Sequence, residues 1–144
     1  MKTVVTKSKD IVRDWYLIDL KNQTLGRLST QIASLLMGKD KVYFSSHLDC
    51  GDYVVVINAD QVRVTGNKKK DKLYRHHSGY PGGFREYTFE QVQAKDPREI
   101  VTRSVSGMLP KNKLRAERLK RLKVFVDEVH PYNQQISVSE KKSS

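Results

Sequence analysis

The apolar residues of the chain fall into segments with two different periods, which predict alternating strands and helices. Residues 15–20, WYLIDL, form an apolar run of strand length, and residues 52–59 contain an unbroken β-branched stretch from Val54 to Ile57. A strand that is apolar on both faces is typical of a covered, largely parallel sheet. Between these strands, residues 25–39 carry an apolar face at helical spacing, made by Leu25, Leu28, Ile32, Leu35 and Leu36.

The second half of the chain continues this alternation. Residues 62–66, VRVTG, alternate apolar and polar positions and predict a half-exposed strand, and residues 72–77 predict another short strand. Further segments follow in the order helix, helix, helix and strand, at residues 88–95, 97–109, 112–122 and 122–126. This order of elements predicts an α/β sandwich around one small sheet.

Length and charge suggest one domain with a polyanionic partner. The chain has 144 residues, and we expect residues 1–14 to form an N-terminal arm and residues 133–144 a polar tail with a frayed structure. The formal net charge is +11 and the isoelectric point is about 9.8. Such an excess destabilises a compact state by self-repulsion, so it usually has a partner that neutralises it. Nucleic acid is the commonest such partner, and an anionic membrane is the other.

Several features argue against a membrane or secreted protein. No apolar run approaches the roughly 20 residues that span a bilayer, and the N-terminal residues have no apolar core typical of a signal peptide. The basic helix after Pro110 could lie on a membrane surface, but its apolar side lacks Trp and Phe and suits packing on a sheet better. The single cysteine, Cys50, permits no internal disulfide, which fits a reducing compartment. We expect a cytoplasmic protein without a membrane partner.

Residues 47–52, HLDCGD, bring a histidine, a thiol and two carboxylates together. They could form a catalytic or metal site, or they could form a loop in which Asp49 or Asp52 accepts hydrogen bonds from free backbone N–H groups. The paired spacing of metal ligands is absent, and His76 and His77 would point to opposite faces of a strand. No phosphate-binding loop is present either. We therefore expect no catalytic residue, metal, cofactor or small-molecule substrate.

Two basic segments remain as candidates for function. The first runs from Arg63 to Arg75 with Asp71 as its one acid, and the second runs from Lys111 to Lys123 with one glutamate. A charge run is often only a solvated face. Here, however, glycines and aromatic rings follow the first segment within residues 74–84. Rings can stack on unpaired bases, and glycines let the backbone approach phosphates, so the combination predicts RNA binding.

Several long strings of the sequence resemble one family. The strings YRHHSGYPGG at residues 74–83 and GMLPKN at residues 107–112 are long and unusual. Together with the opening WYLIDL and LGRLSTQIASLLMGK, they resemble the bacterial large-subunit ribosomal protein L13 family. The resemblance runs from Trp15 to about Tyr132 and places a single domain at residues 15–132. Residues 115–117 depart from the family, whose members often have Gly-Arg at this place.

The resemblance implies a three-layer α/β/α sandwich around a four-stranded, mainly parallel sheet. It also implies a structural role in the large ribosomal subunit, with large-subunit ribosomal RNA and neighbouring ribosomal proteins as partners in early assembly and translation, and no catalysis. On this hypothesis, the residues that bind RNA are Lys39, Lys41, Lys68, Lys69, Lys70, Lys72, Tyr74, Arg75, His76, His77, Ser78, Gly79, Tyr80, Pro81, Gly82, Gly83, Arg85, Met108, Pro110, Lys111, Asn112, Lys113, Arg115, Arg118, Lys120 and Arg121.

Two other function classes make different predictions. An RNA-processing or metal-dependent enzyme using Asp49, Asp52 and the histidines would bind a metal and turn over substrate. A free RNA-binding translational regulator would bind RNA equally well in isolation, but it would not sediment with large ribosomal subunits.

Overall fold

In the computed structural model, which describes residues 3–143, five strands and six helices alternate. The strands are β1 (Trp15–Asp19), β2 (Tyr53–Ile57), β3 (Leu73–His77), β4 (Phe84–Thr88) and β5 (Leu122–Val124). The helices are α1 (Leu25–Met37), α2 (Lys68–Asp71), α3 (Phe89–Lys95), α4 (Pro97–Met108), α5 (Leu114–Lys120) and α6 (Asn133–Ser143). Short 3-10 turns occur at Ser8–Asp10 and Ala59–Gln61.

The central sheet consists of β1, β2 and β5, with β2 in the middle and all strands parallel. β1 pairs with β2 from Trp15 opposite Tyr53 to Asp19 opposite Ile57. Residues 54–57 of the middle strand are all buried, as their unbroken β-branched run predicts. The mixed α/β class and the small, mainly parallel sheet are confirmed.

The two faces of β2 contact different apolar clusters. Val54 and Val56 belong to the main core, together with buried residues of α1 and α4: Ile32, Leu36, Ile100, Val101 and Val105. Val55 and Ile57 belong to a smaller cluster with Ile136 of α6. The predicted apolar face of α1 is therefore confirmed, and the C-terminal segment covers the side of the sheet that α1 does not.

The strand predicted at residues 62–66 is wrong. This segment makes only one parallel bridge, between Arg63 and Thr24, because the partner segment turns into α1 at Leu25. The strand predicted at residues 72–77 does form, as β3, but it pairs antiparallel with β4 in a separate two-stranded sheet. Within residues 3–143 the central sheet therefore has three strands rather than four.

Helix α3 packs against both strands of this separate β3–β4 hairpin, α4 contacts it through Arg103, and both helices begin with a capping residue. Thr88 Oγ1 accepts a hydrogen bond from the backbone N–H of Gln91 (3.3 Å), and Gln91 Oε1 accepts one from the N–H of Thr88 (2.9 Å). Asp96 Oδ1 accepts the N–H of Arg98 (3.1 Å), and Pro97 occupies the first turn of α4. Both predicted helices are confirmed to within one residue at each end.

The expectation of a frayed C-terminal tail is wrong for the described residues. Residues 133–143 form α6, and the side chain of Ile136 is buried in the smaller cluster. The low apolar content of residues 133–143 gives no helical pattern in the sequence. In the fold, the buried Ile136 packs this otherwise polar segment against Val55 and Ile57 of β2. Residues 3–14, predicted as an arm, lie along the loop after α1, where Thr6 Oγ1 donates to the carbonyl of Tyr43 (2.9 Å).

Candidate nucleic-acid interface

The β3–β4 hairpin exposes most of its side chains to solvent, and Tyr74 is its one buried residue. Cross-strand pairs place Tyr74 opposite Tyr87 and His76 opposite Arg85. Because side chains alternate along a strand, these four residues share one face, whereas His77 lies on the other. The predicted opposite orientation of the two adjacent histidines follows from this register.

The tip of the hairpin, residues 78–83, is held by its own hydrogen bonds. The N–H of Ser78 donates to the carbonyl of Gly83 (3.2 Å), and the N–H of Gly83 donates to the carbonyl of Tyr80 (3.0 Å). Gly82 has φ of +71°, and a Cβ at Gly83 would lie 2.9 Å from the backbone carbonyl oxygen of Tyr80, so both positions favour glycine. The Tyr80 side chain is 75% exposed at this tip. A fixed loop that presents an exposed ring suits stacking on an unpaired base.

The lysines that precede the hairpin lie on α2 and directly after it. Lys68, Lys69, Lys70 and Lys72 are all exposed, and within residues 3–143 none of them forms an ion pair. Unpaired surface cations are available to phosphates without first breaking an internal contact. Arg75 differs from them, because its Nε lies 3.0 Å from the carboxylate of Glu86.

Tyr74 attaches the hairpin to the rest of the domain. Its ring packs on Phe89, with 6.4 Å between ring centroids, and the Arg103 guanidinium lies 5.4 Å from the Tyr74 ring centroid. Burial raises the pKa of Tyr74, and its hydroxyl is buried without a hydrogen-bond partner among the described residues. The ring is therefore a packing residue rather than a free platform for a base.

The second basic segment contains both exposed and buried cations. Lys111, Asn112 and Lys113 are exposed, and Arg115 is half-buried. Lys120 is exposed and lies 2.9 Å from the carboxylate of Glu117. The N-terminal part of the segment is thus the part available to a ligand.

Arg118 and Arg121 lie inside the protein. Arg121 donates to the backbone carbonyls of Asp52 (2.9 Å) and Leu36 (3.1 Å) and forms an ion pair with Asp49. Burial lowers the pKa of the Arg121 guanidinium, and the charge of Asp49 acts in the opposite direction. Arg118 is 2% exposed, with its Nε 3.8 Å from Asp49. Both arginines lie within ion-pair distance of Asp49, and Arg118 Nε has no hydrogen-bond partner among the described residues. Only a small part of Arg118 reaches the surface, in the wall of a groove beside Pro110.

The HLDCGD string is the centre of this buried cluster. Asp49 lies within ion-pair distance of Arg13 as well as of Arg118 and Arg121. Asp52 accepts the backbone N–H of Asp14 (2.9 Å) and pairs with Lys41 Nζ (2.5 Å). The structural interpretation of this loop is confirmed for Asp52. Lys41, expected to bind RNA, also donates to the carbonyl of Val12 in the N-terminal arm (2.6 Å).

Lys39 and the GMLPKN string meet although they are distant in sequence. They line a groove of about 390 Å³, together with Met37 and Phe44; the predicted RNA-binding residues in its wall are Lys39, Met108, Pro110, Asn112 and Arg118. Lys111 and Lys113 are adjacent in sequence to the lining residues Pro110 and Asn112, and both are exposed. The fold therefore brings Lys39 and the GMLPKN string together, although they are far apart in the sequence.

Three residues that line a cavity at the hairpin were not among the predicted RNA-binding residues, namely Tyr87 of β4, Lys95 of α3 and Arg103 of α4. They share a cavity with Tyr74, His76 and Arg85. Tyr87 follows the glycine loop in a strand that the sequence analysis did not predict, and the two cations lie on α3 and α4. A prediction of the hairpin register would have placed Tyr87 there, whereas no local signal indicates Lys95 or Arg103.

Two structural findings bear on the other function classes. Among residues 3–143, no group of three or more His, Cys, Asp or Glu side chains is placed to hold a metal ion. The same residues include no helix with the length and apolar character needed to cross a membrane.

Comparison with known proteins gives consistent matches over almost the whole chain. A family model described as Ribosomal protein L13 matches residues 13–131. The "Large ribosomal subunit protein uL13" of Azotobacter vinelandii is 51% identical over 135 residues, which cover 94% of this chain and 95% of the relative. The proteins of the same name from Pseudomonas entomophila and Hahella chejuensis are 50% and 48% identical over the same shares of the two chains.

Proposed function

Because the chain belongs to the ribosomal protein L13 family, we propose that it is a structural component of the large ribosomal subunit that binds large-subunit ribosomal RNA. The family consists of structural ribosomal proteins and not of enzymes. The observation that carries the proposal is the identity of about half of all residues over 94% of the chain to relatives named for the large subunit. Similarity of that extent covers the whole hairpin and the GMLPKN string.

The hairpin is the main RNA-binding surface in this proposal. Its supporting features are the unpaired lysines of α2, the closed tip with an exposed tyrosine, and the exposed residues of β3 and β4. The lysines neutralise phosphates, and Tyr80, His76 and His77 contact bases or sugars. Arg75 contributes less charge than its position in the sequence suggests, since Glu86 neutralises it.

A second surface consists of Lys39, Pro110, Lys111, Asn112 and Lys113. These residues are exposed and lie around the groove beside the end of α4. Arg118, Arg121, Lys41 and Tyr74 are left out of the proposed interface, because their side chains are committed to the interior. In the cell, we expect the protein to act on cytoplasmic ribosomes, beside neighbouring large-subunit proteins and early in assembly.

Sedimentation tests this function directly. A cell lysate is separated on a sucrose gradient, and the protein is quantified in each fraction by mass spectrometry. The proposal predicts about one copy per large subunit, with release only at high salt because many phosphate contacts hold it. Recovery of the protein only at the top of the gradient would instead favour a free regulator.

A further inference from the structure

A cavity of about 300 Å³ lies between one face of the hairpin and helices α3 and α4. The hairpin contributes Tyr74, His76, Arg85 and Tyr87, which the register places on the same face. The helices contribute Lys95 and Arg103. This volume is at the lower end of the range of about 300–1,000 Å³ for sites that hold small organic groups.

Cations and aromatic rings are interleaved around this cavity. Lys95 Nζ lies 5.8 Å from the centroid of the Tyr87 ring, and the Arg103 guanidinium lies 5.4 Å from that of Tyr74. The Tyr87 side chain is 41% exposed, so part of its ring is accessible. Rings bind bases by stacking, while ammonium and guanidinium groups bind phosphates, so one nucleotide could satisfy both.

The charges in the cavity are not balanced within the described protein. Arg103 has a carboxylate partner at 2.5 Å, Glu99, which also lines the cavity and offsets its charge. Arg85 and Lys95 have no ion-pair partner among residues 3–143, and both lie beside the same opening. An anion at this place would therefore meet two unpaired cations.

We infer that this cavity holds one unstacked nucleotide of RNA, with its base on the exposed part of the Tyr87 ring and its phosphate between Arg85 and Lys95. This site is separate from the tip and from the lysines of α2, and it rests on the proposed function, since it needs an RNA partner. It assigns a binding role to Tyr87 and Lys95, neither of which is among the residues predicted from the sequence to bind RNA.

The test measures the affinity of the full-length protein for deproteinised large-subunit ribosomal RNA by filter binding over a range of salt concentrations. Y87A should weaken binding about 5- to 150-fold, which corresponds to the loss of one base stacked on an aromatic ring. Y87F keeps the ring and should bind like the wild type. K95A should reduce the salt slope by about 0.7 to 0.9, as expected for one lost phosphate contact.

Matched controls separate the cavity from general effects. Tyr16 on β1 is 40% exposed, almost the same as Tyr87, and lies in the central sheet rather than in the hairpin. Y16A should leave the affinity unchanged, and circular dichroism should show that all variants are folded. A double variant of Lys69 and Lys70 to alanine reports independently on the proposed α2 surface.

The outcomes distinguish the two proposals. If Y87A and K95A bind RNA like the wild type while the Lys69 and Lys70 variant is weakened, the nucleotide site is wrong and the proposed function stands. If Y87F loses as much affinity as Y87A, stacking is not the interaction and the inference is also wrong. If the wild-type protein binds no ribosomal RNA and does not sediment with large subunits, both proposals fail.

Discussion

The two basic segments look alike in the sequence but occupy different environments in the fold. In the first, the cations of residues 68–72 are exposed and unpaired among the described residues. In the second, Arg118 and Arg121 are buried and contact Asp49. The difference arises because α5 packs against α1, α4 and β5, so one side of this helix and the Arg121 that follows it face inward whatever their charge.

This comparison shows that a charge run alone does not identify a binding surface. A buried guanidinium needs a carboxylate and backbone carbonyls close by, and the fold supplies both from the HLDCGD loop and α1. An exposed lysine on a short helix is solvated by water and needs no carboxylate or carbonyl partner within the protein. The same residue types therefore stabilise the fold in one segment and are free for RNA in the other.

The largest expected effect comes from breaking the buried cluster. Asp49→Asn keeps the size of the side chain but leaves Arg118 and Arg121 buried without their carboxylate. We expect the free energy of unfolding in urea to fall by about 3–5 kcal/mol. The exposed Asp71 of α2 is a matched control, and Asp71→Asn should change stability by less than about 0.5 kcal/mol. Equal effects of the two changes would mean that the second segment is not held by buried charges.

The next prediction tests whether the exposed lysines of the first segment bind RNA. Replacing Lys69 and Lys70 by alanine should leave stability unchanged, because neither forms an ion pair among the described residues. Affinity for large-subunit RNA should fall, and the salt slope should decrease by roughly 1.4 to 1.8 for two lost phosphate contacts. Filter binding between low and moderate salt measures both quantities. An unchanged slope would remove these lysines from the interface.

A smaller effect is expected from the tip of the hairpin. Gly82 has φ of +71°, so Gly82→Ala forces a side chain into the left-handed region at a cost of about 1–2 kcal/mol. Because the tip is exposed, it can change conformation locally to relieve this strain, so the substitution should lower RNA affinity with little change in the unfolding midpoint of the domain. Ala116 to glycine in α5, by contrast, should lower stability only. Wild-type RNA affinity in the Gly82 variant would show that the tip conformation is not used in binding.

The smallest effect concerns a carboxylate outside both segments. Asp96 caps α4, and the hydrogen bond from Arg98 Nε (3.0 Å) holds the pKa of Asp96 below its ordinary value of 3.8. Its contribution is therefore present above about pH 4 and is lost as the pH falls through the lower, folded-state pKa. Asp96→Ala should cost about 1 kcal/mol at pH 7. Urea unfolding at several pH values should show the two proteins converging in acid; a constant difference would contradict this origin.

Sequence reasoning performed best where one local pattern determines the structure. The spacing in α1 and the β-branched run of β2 predicted a helix and a central strand because burial on known faces sets both. Predictions from the sequence failed where tertiary contacts determine the secondary structure. Helix α6 depends on the burial of Ile136, and residues 62–66 form no strand because their partner segment turns into α1.

The candidate site was predictable to a similar degree. The glycines, proline and aromatic residues of residues 74–83 indicated a loop that contacts RNA, but the hairpin itself was not predicted, since no pattern in the sequence indicated β4. The inward turn of Arg118 and Arg121 was not predictable, since it depends on where Asp49 lies in space. The contribution of Lys95 and Arg103 to the hairpin cavity depends likewise on helix packing.

Cross-linking of intact large subunits tests the contrast between the two segments most directly. The subunits are irradiated with ultraviolet light, the RNA is digested, and peptides of this protein that carry nucleotides are identified by mass spectrometry. The account predicts cross-links within residues 68–87, with weaker ones at residues 110–113, and none at Arg118 or Arg121. Cross-links at the two buried arginines, with none in the hairpin, would contradict it.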